Sequence, residues 1–387
     1  MRRRHDVLIY LPTGSTVVDL RGVTPAGGAE MQMALLARGL VGLGARVAMV
    51  VYDSDRRGET PDSVDGIDLV PRSPYRYSAG VRGGLREAAE MYANIAAARA
   101  DTVVTMCAVP ATGLLALAAK LQRRHLVYAS ASAFDFDYAT VEPKPRNVRL
   151  FHLGVRMADQ IVVQNAEQRE LCQRRFGRSA VVIKSIAEDA ELRTQPPEAF
   201  LWAGRIVRYK RPLEFVELAR RLPEARFWMV GLPGRDRPDV GQEVRDAARA
   251  TPNLELLDPL PRHELMRLVA RAVAVVNTSD LEGLPNTFIE AWARGVPALS
   301  LAYDPDGLIE RHRLGGFAAG SAERLAALAR QLWDSRHDQG ELAARCRRYV
   351  RTEHSPDTVY SRWFDTLGLA AAGRQAPAFV ASGATPT

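Results

Sequence analysis

Short β-branched runs take turns with longer helical patterns along almost the whole chain of 387 residues. No other feature constrains the fold as strongly, because strands separated by helical crossovers pair in parallel. In the first half the runs are DVLIYL (6–11), RVAMVVY (46–52), DTVVTM (101–106), HLVYAS (125–130), QIVVQN (160–165) and AVVIKS (180–185). They are apolar almost throughout, as strands covered on both faces must be. Between the first two, Met33, Leu36, Leu40 and Leu43 recur at three- and four-residue steps, which predicts an amphipathic helix ended by Gly44.

The pattern lapses around the Pro196-Pro197 pair and then restarts. New strand runs fall at 199–204, 226–231, 253–257, 272–277 and 297–301, with helical patterns at 211–222, 261–270, 286–294 and 321–334. The expected organisation is α/β: a first doubly wound domain (1–188), a linker (189–198) and a second such domain (199–354), facing each other across a cleft. A helix over 355–370, opened by Ser355-Pro356, is expected to pack back on the first lobe, and the tail 371–387 to be disordered.

Composition narrows the function. No stretch reaches the roughly 18–20 apolar residues of a membrane span. The basic start MRRR leads into only five apolar residues before Pro12, so Val7–Leu11 reads as a strand rather than a leader. Cys107, Cys172 and Cys346 have no paired spacing, which argues against disulfides and zinc and for three small buried residues in a reducing cytosol. The net charge of +7 is mostly arginine, yet no helix carries a basic stripe interleaved with aromatics, so nucleic acid is not an expected partner.

The strand at 272–277 runs into TSDLEGLP, and Asn286 is expected to open a helix. Open α/β sheets bind ligands where strand C-termini meet helix N-termini. Amides from Gly283 to Thr287 would face an anion there. Glu282 and Glu290 are awkward beside a phosphate alone. They fit a ligand that also presents hydroxyl pairs, because an ionised carboxylate accepts two O–H donors. Glu290, in the first helical turn, would reach a ribose diol and Glu282 the hydroxyls of a second ring. Taken singly, each has a plainer account: a solvated acid at 282 and a complement to the helix dipole at 290. After strand 199–204, Gly204 permits close approach and the cations Arg205 and Lys210 suit a diphosphate, with ordinary exposed loop cations as the alternative.

Four stretches together resemble the GT-B glycosyltransferases, specifically the retaining family-4 type: AGRIVRYKRP (203–212), VNTSDLEGLPNTFIEAWARGVPALS (276–300), GGAE (27–30) and MADQIVVQNAEQRELCQRRFG (157–177). The resemblance runs from residue 6 to roughly 365. It implies two Rossmann-like lobes and transfer of a sugar from a nucleoside diphosphate sugar to an acceptor hydroxyl with retention, in cell-surface polysaccharide or glycolipid synthesis. A cytoplasmic location is expected, with peripheral attachment to the inner face of the membrane as an alternative. Arg205, Lys210 and Glu282 would carry catalysis, the two cations on the diphosphate and Glu282 on the transferred sugar. Glu290 would hold the ribose, and the turn made of Gly283, Leu284, Pro285, Asn286 and Thr287 would bind sugar and phosphate through the amides of its non-proline residues. Gly27 and Gly28 would close on the diphosphate from the other lobe, Gly204 would admit it, and Gly231 and Leu260 would lie at the base pocket. No metal or other cofactor is expected.

The chain departs from the family at one place. Many members carry a histidine after the fourth strand of the first lobe, where this sequence reads YASASAFDFDYA (128–139). Ser130, Ser132, Asp135 or Asp137 would serve instead, or none would. Ordinary solvated loop acids are the favoured account. Arg205 and Lys210 would stabilise the leaving diphosphate, and attack from the same face is expected, with Glu282 as covalent nucleophile the alternative. A saccharide or lipid-linked acceptor is expected on the first lobe. Arginines there, among them Arg2–Arg4, Arg82, Arg86, Arg123, Arg124, Arg146 and Arg149, suit an anionic membrane, although a scattered solubilising surface is the favoured account. The rivals are a non-catalytic nucleotide-sugar binder and a sugar-nucleotide epimerase of the same fold.

Overall fold

The computed structural model describes residues 4–10, 27–51, 62–70, 81–140, 142–233, 238–280 and 282–369. The first lobe is built on strands β1 (Val7–Tyr10), β2 (Val47–Val50), β3 (Ser63–Val64), β4 (Ile67–Val70), β5 (Thr102–Met106), β6 (His125–Ala129), β7 (Gln160–Val163) and β8 (Val181–Val182). They form one sheet in the order β3-β4-β2-β1-β5-β6-β7-β8, parallel except for the β3–β4 hairpin. Its helices are α1 (Gly28–Gly42), α2 (Val81–Ala98), α3 (Ala111–Leu121), α4 (Pro145–Met157) and α5 (Ala166–Phe176).

Strand residues alternate between two cores, as a period of two requires. Val7 and Ile9 of β1 face Met33, Leu36 and Leu40 of α1. Leu8 and Tyr10 face Met91, Leu115 and Phe151 of the layer α2–α4. Helix α1 stops as expected: Gly44 adopts φ +88°, and the Ala45 amide returns to the Leu40 carbonyl at 3.0 Å.

The second lobe is a six-stranded, all-parallel sheet in the order β11-β10-β9-β12-β13-β14. Its strands are β9 (Ala199–Ile206), β10 (Phe227–Pro233), β11 (Leu254–Leu257), β12 (Ala272–Asn277), β13 (Ala298–Ser300) and β14 (Gly315–Phe317). Around it lie α6 (Pro212–Arg221), α7 (Pro238–Arg249), α8 (Arg262–Ala270), α9 (Asn286–Ala293), α10 (Leu308–His312), α11 (Ala322–Asp334) and α12 (Gly340–Glu353).

The last helix, α13 (Pro356–Thr366), starts from the Ser355 cap and returns to the first lobe. Val359, Tyr360, Trp363 and Phe364 are buried in the core under α1, each side chain contributing about 1.5–3 kcal/mol of apolar burial. Gly39 of α1 makes the approach possible, since a Cβ there would overlap the Tyr360 ring. The chain thus passes between lobes twice. Ile186 packs in the first core and Ala187 in the second. The return lies at His354, whose carbonyl accepts from the Ala187 amide at 2.9 Å and whose Nδ1 donates to the Ser185 carbonyl at 2.8 Å. His354 is fully buried, and burial pushes its imidazole down to about 4.

Several elements go beyond the sequence expectations. The β3–β4 hairpin turns on Asp65-Gly66 at φ +51° and +79°, and β14, α7, α10 and α12 were not anticipated. Cys172 and Cys346 are buried as expected, whereas Cys107 is only partly covered and sits at φ +77° just after β5. The tail 371–387, Arg2 and Arg3 lie outside the described residues.

Candidate functional site between the lobes

The C-terminal ends of β9 and β12 face the first lobe, and two loops there are stitched together. Thr278 Oγ1 donates to the Lys210 carbonyl at 2.6 Å, and the Asp280 amide to the Tyr209 carbonyl at 2.9 Å. This brings together residues 72 positions apart: Lys210 Nζ lies 2.5 Å from Glu282 Oε1, which also accepts from Ser279 Oγ at 2.8 Å. Both side chains are largely buried, 21% and 15% exposed. Burial opposes the Lys210 ammonium, but the charge and hydrogen bond of Glu282 together with Tyr209 outweigh it and raise its pKa above the ordinary lysine value, so the lysine is charged. Arg205, inside β9 rather than beyond it, reaches over the cleft towards Gly27, where a Cβ would stand 3.1 Å from its Nη2.

Glu290 sits elsewhere in the cleft. Helix α9 starts at Asn286 with Pro285 at its cap and has no acid in its first turn, so Glu290 lies one turn deeper than expected. Its carboxylate meets Arg262 Nη1 at 2.5 Å. Arg262 also pairs with Glu188, just after the first crossing. These groups and Gln32, Asn286 and Met31 border a small, narrow pocket. Gln32 is buried on α1 and holds both the Ile186 amide (2.6 Å) and carbonyl (3.0 Å), with a further bond from its Nε2 to Asn286 Oδ1 at 3.3 Å. The sequence reading passed over Arg262 and Gln32. A cation in the first turn of a helix, against the dipole, and a glutamine inside an apolar stripe were the signals available.

The turn before α9 is pressed against the first lobe. The Leu284 amide donates to Gln164 Oε1 at 3.1 Å, so it is engaged. A Cβ on Gly283 would overlap Gln164 Oε1 and stand 2.7 Å from the Ala131 carbonyl. A Cβ on Gly28 would overlap Asn286 Nδ2. Thr287 is half-buried in the first turn of α9. Further along, Asp306 caps α5 across the cleft, accepting from the amides of Ala166 (2.8 Å) and Glu167 (3.1 Å), and Tyr303 Oη donates to Glu167 at 2.9 Å.

The glycines on the sheet edge differ from each other. Gly204 and Gly231 are register partners on β9 and β10. A Cβ on Gly231 would overlap Ile206, so packing alone requires glycine there and the expected pocket role is not needed to explain it. Among the described residues a Cβ on Gly204 would meet nothing closer than Lys210 Cδ and Trp202 at 3.5 Å, so no contact among them demands glycine. Leu260 is half-buried and packs against the second core.

The expectation of solvated acids after β6 fails for Asp135. It is 4% exposed, accepting from Tyr128 Oη and the Ala131 amide, both at 2.8 Å. Burial raises its carboxyl to about 6 against the pull of those bonds. Ser130 is buried too, donating to the Ser132 carbonyl at 3.0 Å. Ser132 is half-buried, its Oγ accepting from the Phe134 amide at 3.4 Å. Only Asp137 is a surface acid, paired with Arg175 at 3.0 Å. The segment is a braced loop whose Ala131 carbonyl faces Gly283.

Comparison with known proteins gives the family and the fold. Residues 27–185 match the glycosyl transferase 4-like domain and residues 184–353 match the glycosyl transferases group 1. Among curated proteins, glycosyltransferase 1 domain-containing protein 1 of Xenopus tropicalis is 24% identical over 118 residues, 30% of this chain. The match spans about a third (34%) of that relative's length. Among solved structures, HepE of Anabaena in complex with UDP and glucose superposes with a TM-score of 0.76 at 17% identity, covering 95% of this chain and 100% of that one. Sucrose-phosphate synthase of Thermosynechococcus elongatus gives 0.73 at 14% identity, with 93% and 98% covered.

Proposed function

The chain belongs to the glycosyl transferases group 1 and has the GT-B fold, and on that premise we propose that it moves a sugar from a nucleoside diphosphate sugar to an acceptor hydroxyl with retention at the anomeric carbon. The observation that carries this reading is the convergence at the cleft of Lys210, Glu282 and Arg205 with Gly27 of the opposite lobe. The diphosphate lies between Arg205 and Lys210. As the bond from the anomeric carbon to the phosphate oxygen breaks, the two cations take up the charge left on that oxygen, without a metal ion. The acceptor oxygen bonds to the anomeric carbon from the same face, and its proton passes to the departing phosphate oxygen. Glu282 orients the transferred ring, and Glu290, held by Arg262, receives the ribose diol.

The acceptor reading is a saccharide or lipid-linked hydroxyl, in cell-surface polysaccharide or glycolipid synthesis. What supports a membrane-borne acceptor is the outer layer of the first lobe. Five of its large apolar side chains are exposed on α2, α3 and α4, which pack side by side: Leu85 (67%), Tyr92, Leu117, Leu121 (76%) and Leu153. Helices α3 and α4 contain no acid, and α4 exposes Arg146, Arg149 and Arg156 beside Leu153. Apolar anchors among cations suit an anionic lipid surface better than a purely solubilising one. Among the described residues no helix is long and apolar enough to cross a membrane.

The test is a thermal-shift panel of UDP-, GDP- and ADP-sugars, followed by product analysis with the donor that raises the melting temperature. Released nucleotide together with a glycosylated acceptor supports the proposal. An epimerised donor, or binding without turnover on any acceptor offered, refutes it.

A further inference from the structure

Three polar atoms of the first lobe converge on Gly283 of the second. Around the Cβ position of that glycine stand Gln164 Oε1, the Ala131 carbonyl at 2.7 Å and Gln168 Nε2 at 3.0 Å. The local sequence fixes how they point. Asn165 caps α5 by accepting from the Gln168 amide at 2.8 Å, which places residue 168 in the first turn. Gln168 Oε1 then accepts from the Gln164 amide at 2.8 Å. Because a backbone N–H needs an oxygen, this bond settles the orientation of the carboxamide and turns Nε2 to the cleft. Gln168 is wholly buried, and its Nε2 has no hydrogen-bond partner among the described residues. A buried amide donor left unpaired is costly and calls for an explanation.

We propose that Gln164, Gln168 and the Ala131 carbonyl form the first-lobe recognition site for hydroxyls of the transferred sugar ring, with Gln168 as its specificity-determining donor. This rests on the glycosyl-transfer reading. The site is a mixed set, two acceptors and one donor, facing the turn that carries Glu282. Such a set suits vicinal hydroxyls, each of which both donates and accepts, and it does not suit a phosphate, which brings no proton for Gln164 Oε1 or the Ala131 carbonyl. The Leu284 amide bound to Gln164 Oε1 marks the contact that a ring hydroxyl replaces when the lobes part to admit donor. Asp135 braces the same loop through the Ala131 amide, so the carbonyl is held in position.

The test measures dissociation constants by calorimetry for UDP, GDP and ADP beside UDP-glucose, UDP-galactose, GDP-mannose and ADP-glucose. The variants are Gln168→Met, which keeps size and removes the donor, and Gln164→Ala, at a half-buried position that tolerates truncation should Gln168→Met unfold. The expected result is unchanged affinity for the preferred nucleoside diphosphate and about tenfold weaker binding of its sugar ester in either variant, with altered preference between sugar epimers. An unchanged ratio of sugar ester to diphosphate affinity, equal losses for both, or a change confined to the acceptor KM overturns the inference. A wild-type protein that binds no nucleoside diphosphate would instead sink the glycosyl-transfer reading itself.

Discussion

Replacing Gly204 by alanine separates stability from function in one experiment. Gly204 lies in β9 without a positive φ, and an added methyl meets only ordinary contacts at 3.5 Å, one of them the Lys210 side chain. Glycine within a strand costs roughly 0.5–1 kcal/mol relative to alanine. The variant should therefore melt higher, by about 1–4 °C for a lobe of this size. The same methyl points at the Lys210 stem, where the diphosphate is proposed to lie. Intrusion of one methyl group into a filled contact costs about 1–3 kcal/mol, which is roughly 5- to 150-fold in affinity. Thermal scans with and without the preferred sugar nucleotide read both effects in one experiment: a higher baseline and a smaller ligand-induced rise. Gly231→Ala is the control, because its Cβ overlaps Ile206 and should lower the baseline. Wild-type donor affinity in Gly204→Ala would show that nothing approaches that edge, and the placement of the diphosphate would fall.

Lys210→Ala should lower kcat/KM by about a hundred- to thousandfold, the loss of one charge-stabilising donor, while a folded variant with near-normal turnover would remove Lys210 from the mechanism. Two buried groups make opposing contributions to the pH dependence of stability. Asp135 has a folded-state pKa of about 6, above its ordinary value, so its burial destabilises increasingly from about pH 4 to 6, while His354, lowered to about 4, costs stability as pH falls from about 6.5 to 4. Urea midpoints over pH 4–7 should show Asp135→Asn gaining on the wild type by about 3 kcal/mol as pH rises, and parallel curves would contradict the buried carboxyl. The protein should float with vesicles containing anionic phosphatidylglycerol and lose that behaviour on combined Leu85→Ser and Leu121→Ser; equal flotation with neutral vesicles would rule out the basic layer.

Sequence alone reached the two sheets, because the central strands are mostly apolar runs and several of the crossover helices, α1 among them, have a clean period. It reached α13 through the Ser355-Pro356 start. The elements it passed over carry weak patterns. The β3–β4 hairpin has few apolar residues, although its Asp65-Gly66 pair is a turn signal. Strand β14 is mostly glycine, and α7 is polar. At the candidate cleft, local motifs singled out Lys210, Glu282 and Glu290, but not their pairing. The Lys210–Glu282 and Arg262–Glu290 contacts join residues 72 and 28 apart, and the Gln164–Leu284 contact joins residues 120 apart. No local period encodes such distances. Asp135 was misplaced for a related reason. The run from 130 to 135 has the composition of a surface loop, and hydrogen bonds to the Tyr128 hydroxyl, the Ala131 amide, Ser130 and Ser132, brought around it by the chain's own turn, make burial tolerable.

These pairings bear on how a donor would be held. The ammonium of Lys210 already has Glu282, the guanidinium of Arg262 has two carboxylates, and the Leu284 amide has Gln164. On the proposed reading, binding is an exchange of partners: a phosphate oxygen takes Glu282's place beside Lys210 and frees that carboxylate for ring hydroxyls. The net affinity is then a difference between two good sets of contacts rather than the sum of new ones. The exchange also keeps the cation and the acid largely out of water throughout, so the desolvation penalty is met when the chain folds and not again at each turnover. The pairs Lys210–Glu282 and Arg262–Glu290 are therefore part of the binding reaction, and breaking either should alter donor affinity by much less than removing an unpaired cation would.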